Sequence, residues 1–263
     1  MTEPILEVRE LSKNFGGLRA LDHINLKVYR EQIVALIGPN GAGKTTFFNC
    51  VTGIYEPTEG DVFLVDREGK KRRINGYKPD EITKLGIART FQNIRLFPNM
   101  TVLENVMIGR HTRTKSWILG AIFRDKKTRE EEEQTIEISY QILKKMRLQK
   151  VVNELASNLP YGEQRRLEIA RALAAEPTLL LLDEPAAGMN PQETKELEAL
   201  IQQIKEEEKI AILLIEHDMK LVMNISDMVY VVEYGRALAQ GKPEQIKDDP
   251  KVIKAYLGED HDA

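Results

Sequence analysis

The residues with the most chemical content are Gly38-Pro39-Asn40-Gly41-Ala42-Gly43-Lys44-Thr45. Glycines at this spacing let the backbone curl until several N–H groups point at one anion. A helix that starts at the lysine adds the positive end of its dipole. Lys44 offers a cation to the β- and γ-phosphates, and Thr45 offers a hydroxyl to a divalent metal ion. The spacing is the P-loop pattern, which belongs between a buried strand and a helix. Ile33-Val34-Ala35-Leu36-Ile37 meets the first requirement. It is too short for a helix and apolar throughout, as a strand covered on both faces should be. The chemistry to expect is nucleotide binding.

Such a loop needs a second acid for the metal. The apolar run Leu179-Leu180-Leu181-Leu182 leads straight into Asp183-Glu184. A strand of that kind delivers Asp183 to the carboxyl edge of a sheet, where ligands of such folds collect. There Asp183 can hold magnesium through its water shell. Glu184, the next residue, is placed to orient or deprotonate an attacking water.

The remaining segments read as the scaffold for these groups. Residues 5–11 and 24–29 predict short antiparallel strands, with Ile5, Val8 and Leu11, then Ile24, Leu26 and Val28, as the apolar positions. Residues 61–75 predict a hairpin that turns at Gly69, with the basic cluster Lys70-Lys71-Arg72-Arg73 at a solvated tip. Ile210–Ile215 reads as a third buried strand. Ahead of it, Asn190, Pro191 and Glu193 predict a capped helix start, and Leu197, Leu200, Ile201 and Ile204 its core stripe. Strands alternating with helices imply a largely parallel sheet. Between about 95 and 157 the strand pattern gives way to charge blocks and helical periodicity. A helix is predicted there with Ile136, Tyr140, Leu143 and Arg147 on one face and Ile142 and Met146 beside them. Trp117–Phe123 forms an apolar island that we expect to pack on this insertion, with contact to a membrane partner as the alternative.

Composition bounds the class. The 263 residues are 42% hydrophobic and 30% charged, which excludes a disordered chain and a membrane-spanning one. The longest apolar runs are about seven residues, against roughly 20 for a spanning helix. The opening Met1-Thr2-Glu3-Pro4 predicts no secretory leader. A net charge of −3 gives no support to nucleic-acid binding. The one cysteine, Cys50, cannot form an internal disulfide, and with four histidines it argues against a structural zinc site.

Together these residues resemble the ATP-binding subunits of ABC transporters over nearly the whole chain. The resemblance implies an α/β P-loop NTPase core with a mostly parallel sheet, an antiparallel β subdomain and a helical insertion. It divides the chain into a nucleotide-binding core with its β subdomain (about 1–92 and 176–240), a helical subdomain (about 93–175) and a C-terminal helical tail (about 241–263). His217, in Ile215-Glu216-His217-Asp218, matches the family's switch histidine at the γ-phosphate. Gln92, in Arg89-Thr90-Phe91-Gln92, matches the glutamine that touches magnesium and links the core to the insertion. Phe15 matches the aromatic that stacks on adenine; a core position is the alternative. Thr46 completes the nucleotide-binding loop.

The segment Leu159-Pro160-Tyr161-Gly162-Glu163 corresponds to the signature that completes a partner subunit's site. It departs from the common Leu-Ser-Gly-Gly-Gln form at three positions, and Pro160 can donate no hydrogen bond. Pro185–Pro191 looks like the D-loop, with Ala187 and Asn190 in place of the usual serine and aspartate. Within the family, Phe15–Leu18, Gly38–Thr46, Arg89–Gln92, Arg165–Ala172, Glu184–Asn190, Ile215–Met223 and Ala255–Gly258 are most similar to the larger ATPase of bacterial branched-chain amino-acid importers. That resemblance implies ATP and Mg2+ as cofactors. The implied partners are transmembrane permease subunits, a second similar ATPase or a second copy of this chain, and indirectly an extracytoplasmic amino-acid-binding protein. It implies a place at the cytoplasmic face of the plasma membrane. Other cargo (urea, short amides or lipopolysaccharide), a non-transport ABC ATPase and a non-catalytic nucleotide sensor are the alternatives. Glu184 and His217 argue against the last.

Overall fold

In a computed structural model, residues 3–113 and 126–257 are described. The apolar island Trp117–Phe123 lies outside them. The chain forms two compact units, one of residues 1–89 and 178–263, the other of residues 90–177.

The first unit carries two sheets. Strands β1 (Leu6–Phe15), β2 (Leu18–Val28), β4 (Glu59–Val65) and β5 (Lys71–Arg73) make an antiparallel sheet in the order β2-β1-β4-β5. The first two strands run longer than their alternation suggests, because shifts of register in β1 after Val8 and after Leu11 break the period of two. The basic cluster differs in part from expectation. The hairpin forms and Lys70 is exposed at its turn, but Lys71–Arg73 continue as strand β5, with Lys71 and Arg73 exposed and Arg72 half-buried, and each side chain meets an acid: Lys71 meets Glu7, Arg72 meets Asp66 and Arg73 meets Asp61. Cross-strand opposite charges explain how so basic a segment can pair along a sheet edge.

The second sheet has the order β10-β9-β3-β8-β7-β6. Its strands are β3 (Ile33–Ile37), β6 (Ile87–Arg89), β7 (Leu179–Asp183), β8 (Ala211–Ile215), β9 (Met228–Glu233) and β10 (Arg236–Gly241). All neighbours are parallel except β9 and β10. Every residue of β3, β7 and β8 is buried. Burying each Val, Leu or Ile contributes about 1.5–3 kcal/mol, which is why uninterrupted apolar runs choose the centre of the sheet. Phe47 and Phe48, from the helix Lys44–Val51, join residues of both sheets in one core. The helix Pro191–Glu208 begins as expected. Asn190 accepts from the Gln192 and Glu193 amides, the Glu193 carboxylate accepts from the Asn190 amide, and Leu197, Leu200, Ile201 and Ile204 are buried. Helices Pro243–Lys247 and Pro250–Leu257 follow β10.

The second unit is helical, with helices Val102–Gly109, Lys126–Lys145 and Tyr161–Leu173. The predicted face of the long helix is partly wrong. Leu143 and Met146 are buried, but Ile136 and Tyr140 are exposed. Thr135 and Ser139 take the inward positions instead, continuing the spacing of Leu143 toward the N-terminus. No helix among the described residues is long and apolar enough to cross a membrane.

Candidate functional site

Apart from Phe15, the site residues of the first unit lie at or just after the carboxyl ends of adjacent parallel strands. Leu36 of β3 pairs with Ile215 of β8, Asp183 of β7 pairs with that same Ile215, and Arg89 of β6 pairs with Leu181. Parallel neighbours lie about 4.8 Å apart. One edge therefore presents, side by side, the glycine loop after β3, Glu216-His217 after β8, Asp183-Glu184 after β7, and Arg89.

The loop from Gly38 to Gly43 needs its glycines for two separate reasons. Gly38, Gly41 and Gly43 have φ of 154°, 74° and 100°. In addition, a Cβ on Gly38 would stand 2.0 Å from the Val232 carbonyl oxygen, and one on Gly43 would stand 2.7 Å from that of Ala20. The helix begins at Lys44, with Gly43 as its cap. The Lys44 ammonium is buried against the loop and donates to the carbonyls of Gly38 (2.6 Å) and Pro39 (2.8 Å). Ala42 is buried, Thr46 half-buried, and Asn40, Gly41 and Thr45 are exposed. Pro39 is also buried less fully than Gly38.

The acidic edge is held by groups that sequence reading did not single out. Asp183 is 2% exposed, and its Oδ2 accepts from Arg89 Nη2 at 2.6 Å. The same guanidinium donates to Asn49 Oδ1 at 2.7 Å on the helix that follows the glycine loop. It also lies 5.3 Å from the centre of the Phe48 ring. Arg89 thus ties the acid to that helix. Its signal in the sequence is a charge at the end of the short apolar run Ile87-Ala88. Glu184 Oε1 and His217 Nε2 meet at 2.9 Å, so these two predicted residues come together. Glu184 itself has φ 46°, the left-handed region that costs a non-glycine residue about 1–2 kcal/mol.

Phe15 ends β1 and is 42% exposed rather than in the core. Its ring meets Tyr55 edge-on at 5.2 Å, and the Lys13 ammonium lies 5.1 Å from its centre.

Gln92 and the segment Leu159–Glu163 belong to the second unit. There Arg165, wholly buried, donates to the carbonyls of Phe91 (2.7 Å) and Gln92 (2.9 Å) and to Glu168 (2.9 Å). Glu168 accepts in turn from the Phe91 and Arg95 amides. Burial pushes the Glu168 carboxyl above its usual range, while the Arg165 charge pulls it back. Pro160 precedes the helix Tyr161–Leu173 and caps it with no side-chain hydrogen bond; its carbonyl accepts from the Glu163 and Gln164 amides. Leu159 is buried, Gly162 and Glu163 are half-buried, and Tyr161 is exposed.

A curled glycine loop between a buried parallel strand and a helix, flanked by an acidic strand end, defines a P-loop fold. The chain belongs to the ABC transporter family, whose profile matches residues 21–187. A second profile, branched-chain amino acid ATP-binding cassette transporter, matches residues 238–262. The chain is 48% identical to the high-affinity branched-chain amino acid transport ATP-binding protein LivG of Escherichia coli, covering 98% of this chain and all of the relative. Among solved structures it is similar to an ATP-binding cassette of an ABC transporter in its ADP conformation, with a TM-score of 0.83, 34% identity, and coverage of 98% of this chain and 100% of that one. It is also similar to a bacterial ABC transporter cassette described as dimeric, with a TM-score of 0.75, 25% identity, and coverage of 90% and 98%.

Proposed function

We propose that the chain is the ATP-hydrolysing subunit of an importer for branched-chain amino acids. The observation that carries the reading is the shared strand edge, which sets the glycine loop, Asp183, Glu184 and His217 side by side with Glu184 and His217 at 2.9 Å. The cargo rests on the likeness to LivG over the full chain.

The backbone N–H groups of the Gly38–Thr46 loop, other than at Pro39, and the Lys44 ammonium bind the phosphates. Lys44 exchanges its two carbonyl partners for phosphate oxygens, so the site is preformed around its cation. Glu184 takes the proton of the attacking water, and His217 contacts the γ-phosphate. Phe15 stacks on adenine, a role its exposure at the end of β1 supports. The donor set fits magnesium. Thr45 and Asp183 would offer it oxygen, Gln92 is the further ligand that the family resemblance implies, and few side chains suffice because this ion keeps much of its water. When bound, it neutralises charge on the β- and γ-phosphates.

Leu159–Glu163 completes the site of a partner ATPase, which is a similar subunit or a second copy of this chain. Pro160 leaves that contact to Gly162 and the helix amides. Residues 1–92 with 176–240 act as the nucleotide-binding core, 93–175 as the helical subdomain and 241–263 as the tail. The subunit works at the cytoplasmic face of the membrane on permease subunits fed by an extracytoplasmic binding protein. Nucleotide burial favours the closed pair of ATPases, and loss of the γ-phosphate releases it.

The test is reconstitution of the full-length chain with its permease and binding protein in vesicles. Leucine uptake is expected to require ATP and to vanish with Lys44→Ala, which also weakens nucleotide binding. Uptake of urea in place of leucine, or normal uptake by the variant, contradicts the reading.

A further inference from the structure

The roles assigned above leave one buried acid at the catalytic edge without a task. Glu216 follows β8 and is 3% exposed. Its two oxygens serve two different loops. Oε1 accepts from the Ala186 amide at 2.7 Å, and Oε2 accepts from the His217 amide at 3.0 Å and from the Asp218 amide at 3.5 Å. Ala186 lies in the turn that begins at Glu184, and His217 carries the imidazole that meets Glu184 at 2.9 Å. One carboxylate therefore joins the backbones behind both members of that pair.

A second observation shows why a brace is needed. The left-handed backbone at Glu184 persists only if its surroundings over-determine it. Three bonds do so. The Glu184 amide donates to the Ile215 carbonyl (2.9 Å), the Ala187 amide donates to the Glu184 carbonyl (3.2 Å), and the Ala186 amide donates to Glu216. The last of these is made by a side chain from another loop. A carboxylate suits the position because it presents two acceptors to converging donors, and bonds to a charged acceptor are the stronger kind. Burial pushes its pKa up, and the nearby Glu184 charge adds to the rise while the three amides oppose it. Glutamine has nearly the same shape but would aim its NH2 group at one of the amide donors.

We propose that Glu216 is a positioning residue that holds the Glu184 turn and the His217 backbone at one spacing, so that the pair is aligned before nucleotide arrives. The inference rests on the assignment of Glu184 and His217 to ATP hydrolysis. It acts on kcat and not on nucleotide affinity, because none of its bonds reaches the glycine loop.

The experiment uses the full-length protein with Glu216→Gln, read by phosphate release, by equilibrium binding of a fluorescent ATP analogue and by thermal melting. The expected result is a KM and an analogue affinity within about two-fold of the parent, with kcat lowered about 10–100-fold. Combining it with Glu184→Gln should slow the reaction by clearly less than the product of the two single effects, since Glu216 acts through the Glu184–His217 pair. A kcat within two-fold of the parent overturns the proposal. So does a parallel loss of affinity and rate, which marks a merely structural role, and so does an additive double variant. If Glu216→Gln does not fold, Glu216→Asp is read by the same criteria, because it keeps the charge but cannot span both loops. Parent-like rates for Glu184→Gln and His217→Ala would instead remove the functional reading beneath the proposal, whatever Glu216 does.

Discussion

The central strands of the first unit and the interior of the second differ in where they put polar groups. In the first, β3, β7 and β8 are buried along their whole length and almost wholly apolar, and charge appears where the strands end. In the second, the interior contains Arg165, Glu168, Asn105, Thr90, Thr135 and Ser139. Asn105 alone accepts from the Phe97 amide and donates to the Phe97 and Thr101 carbonyls. An apolar sheet is a tolerant platform whose register sets where the chemistry falls. A buried polar network is intolerant: each partner is specified, and losing one strands the other.

The sharpest way to break this contrast is Glu168→Leu. It leaves the Arg165 guanidinium buried without its carboxylate and should cost about 3–5 kcal/mol, read by denaturant unfolding. Adding Arg165→Met should restore most of that stability, because both charges are then gone. Equal losses from the single and double variants would show that the pair is not what holds the unit.

In the sheet unit, Leu213→Ala in β8 should cost about 3 kcal/mol by leaving a cavity. No second substitution at a neighbouring partner should be able to rescue it as charge removal does. A full rescue by a single surface change would erase the difference between the units. Smaller still is Asn190→Ala, which removes the cap of the helix Pro191–Glu208 and should cost about 1 kcal/mol.

The smallest effect concerns Glu7. Hydrogen bonds from Arg9 and Lys71 hold its pKa down to about 2 from 4.5. A carboxyl lowered in the folded state stabilises it above its ordinary value and loses that contribution as pH falls toward 2. Glu7→Gln should therefore flatten the pH dependence of Tm between about 4.5 and 2. An unchanged profile would show that β5 is not pinned through this acid.

The same contrast explains what the sequence could reveal. Uninterrupted apolar runs and a glycine loop state their burial and their ends directly, so Lys44, Asp183 and the stripe of Leu197, Leu200, Ile201 and Ile204 were legible. The inward face of Lys126–Lys145 was not, because Thr135 and Ser139 occupy positions that a hydrophobic pattern awards to Ile136 and Tyr140. Strand β5 was hidden for a related reason. Its three charges give no strand pattern of their own, and their partners Glu7, Asp66 and Asp61 come near only once the chain has folded back. Arg89 and Glu216 sit inside motifs whose evident chemistry belongs to their neighbours. Both act through partners distant in the chain, Asp183 for one and Ala186 for the other, and residue type alone does not announce such a pairing.

The central claim is that the strand edge hydrolyses nucleotide through Glu184. Glu184→Gln keeps the shape and removes the base, and phosphate release and nucleotide affinity measured on the same protein decide the matter. The account predicts affinity within about two-fold of the parent and release slowed at least about 100-fold. Release at the parent rate would contradict it.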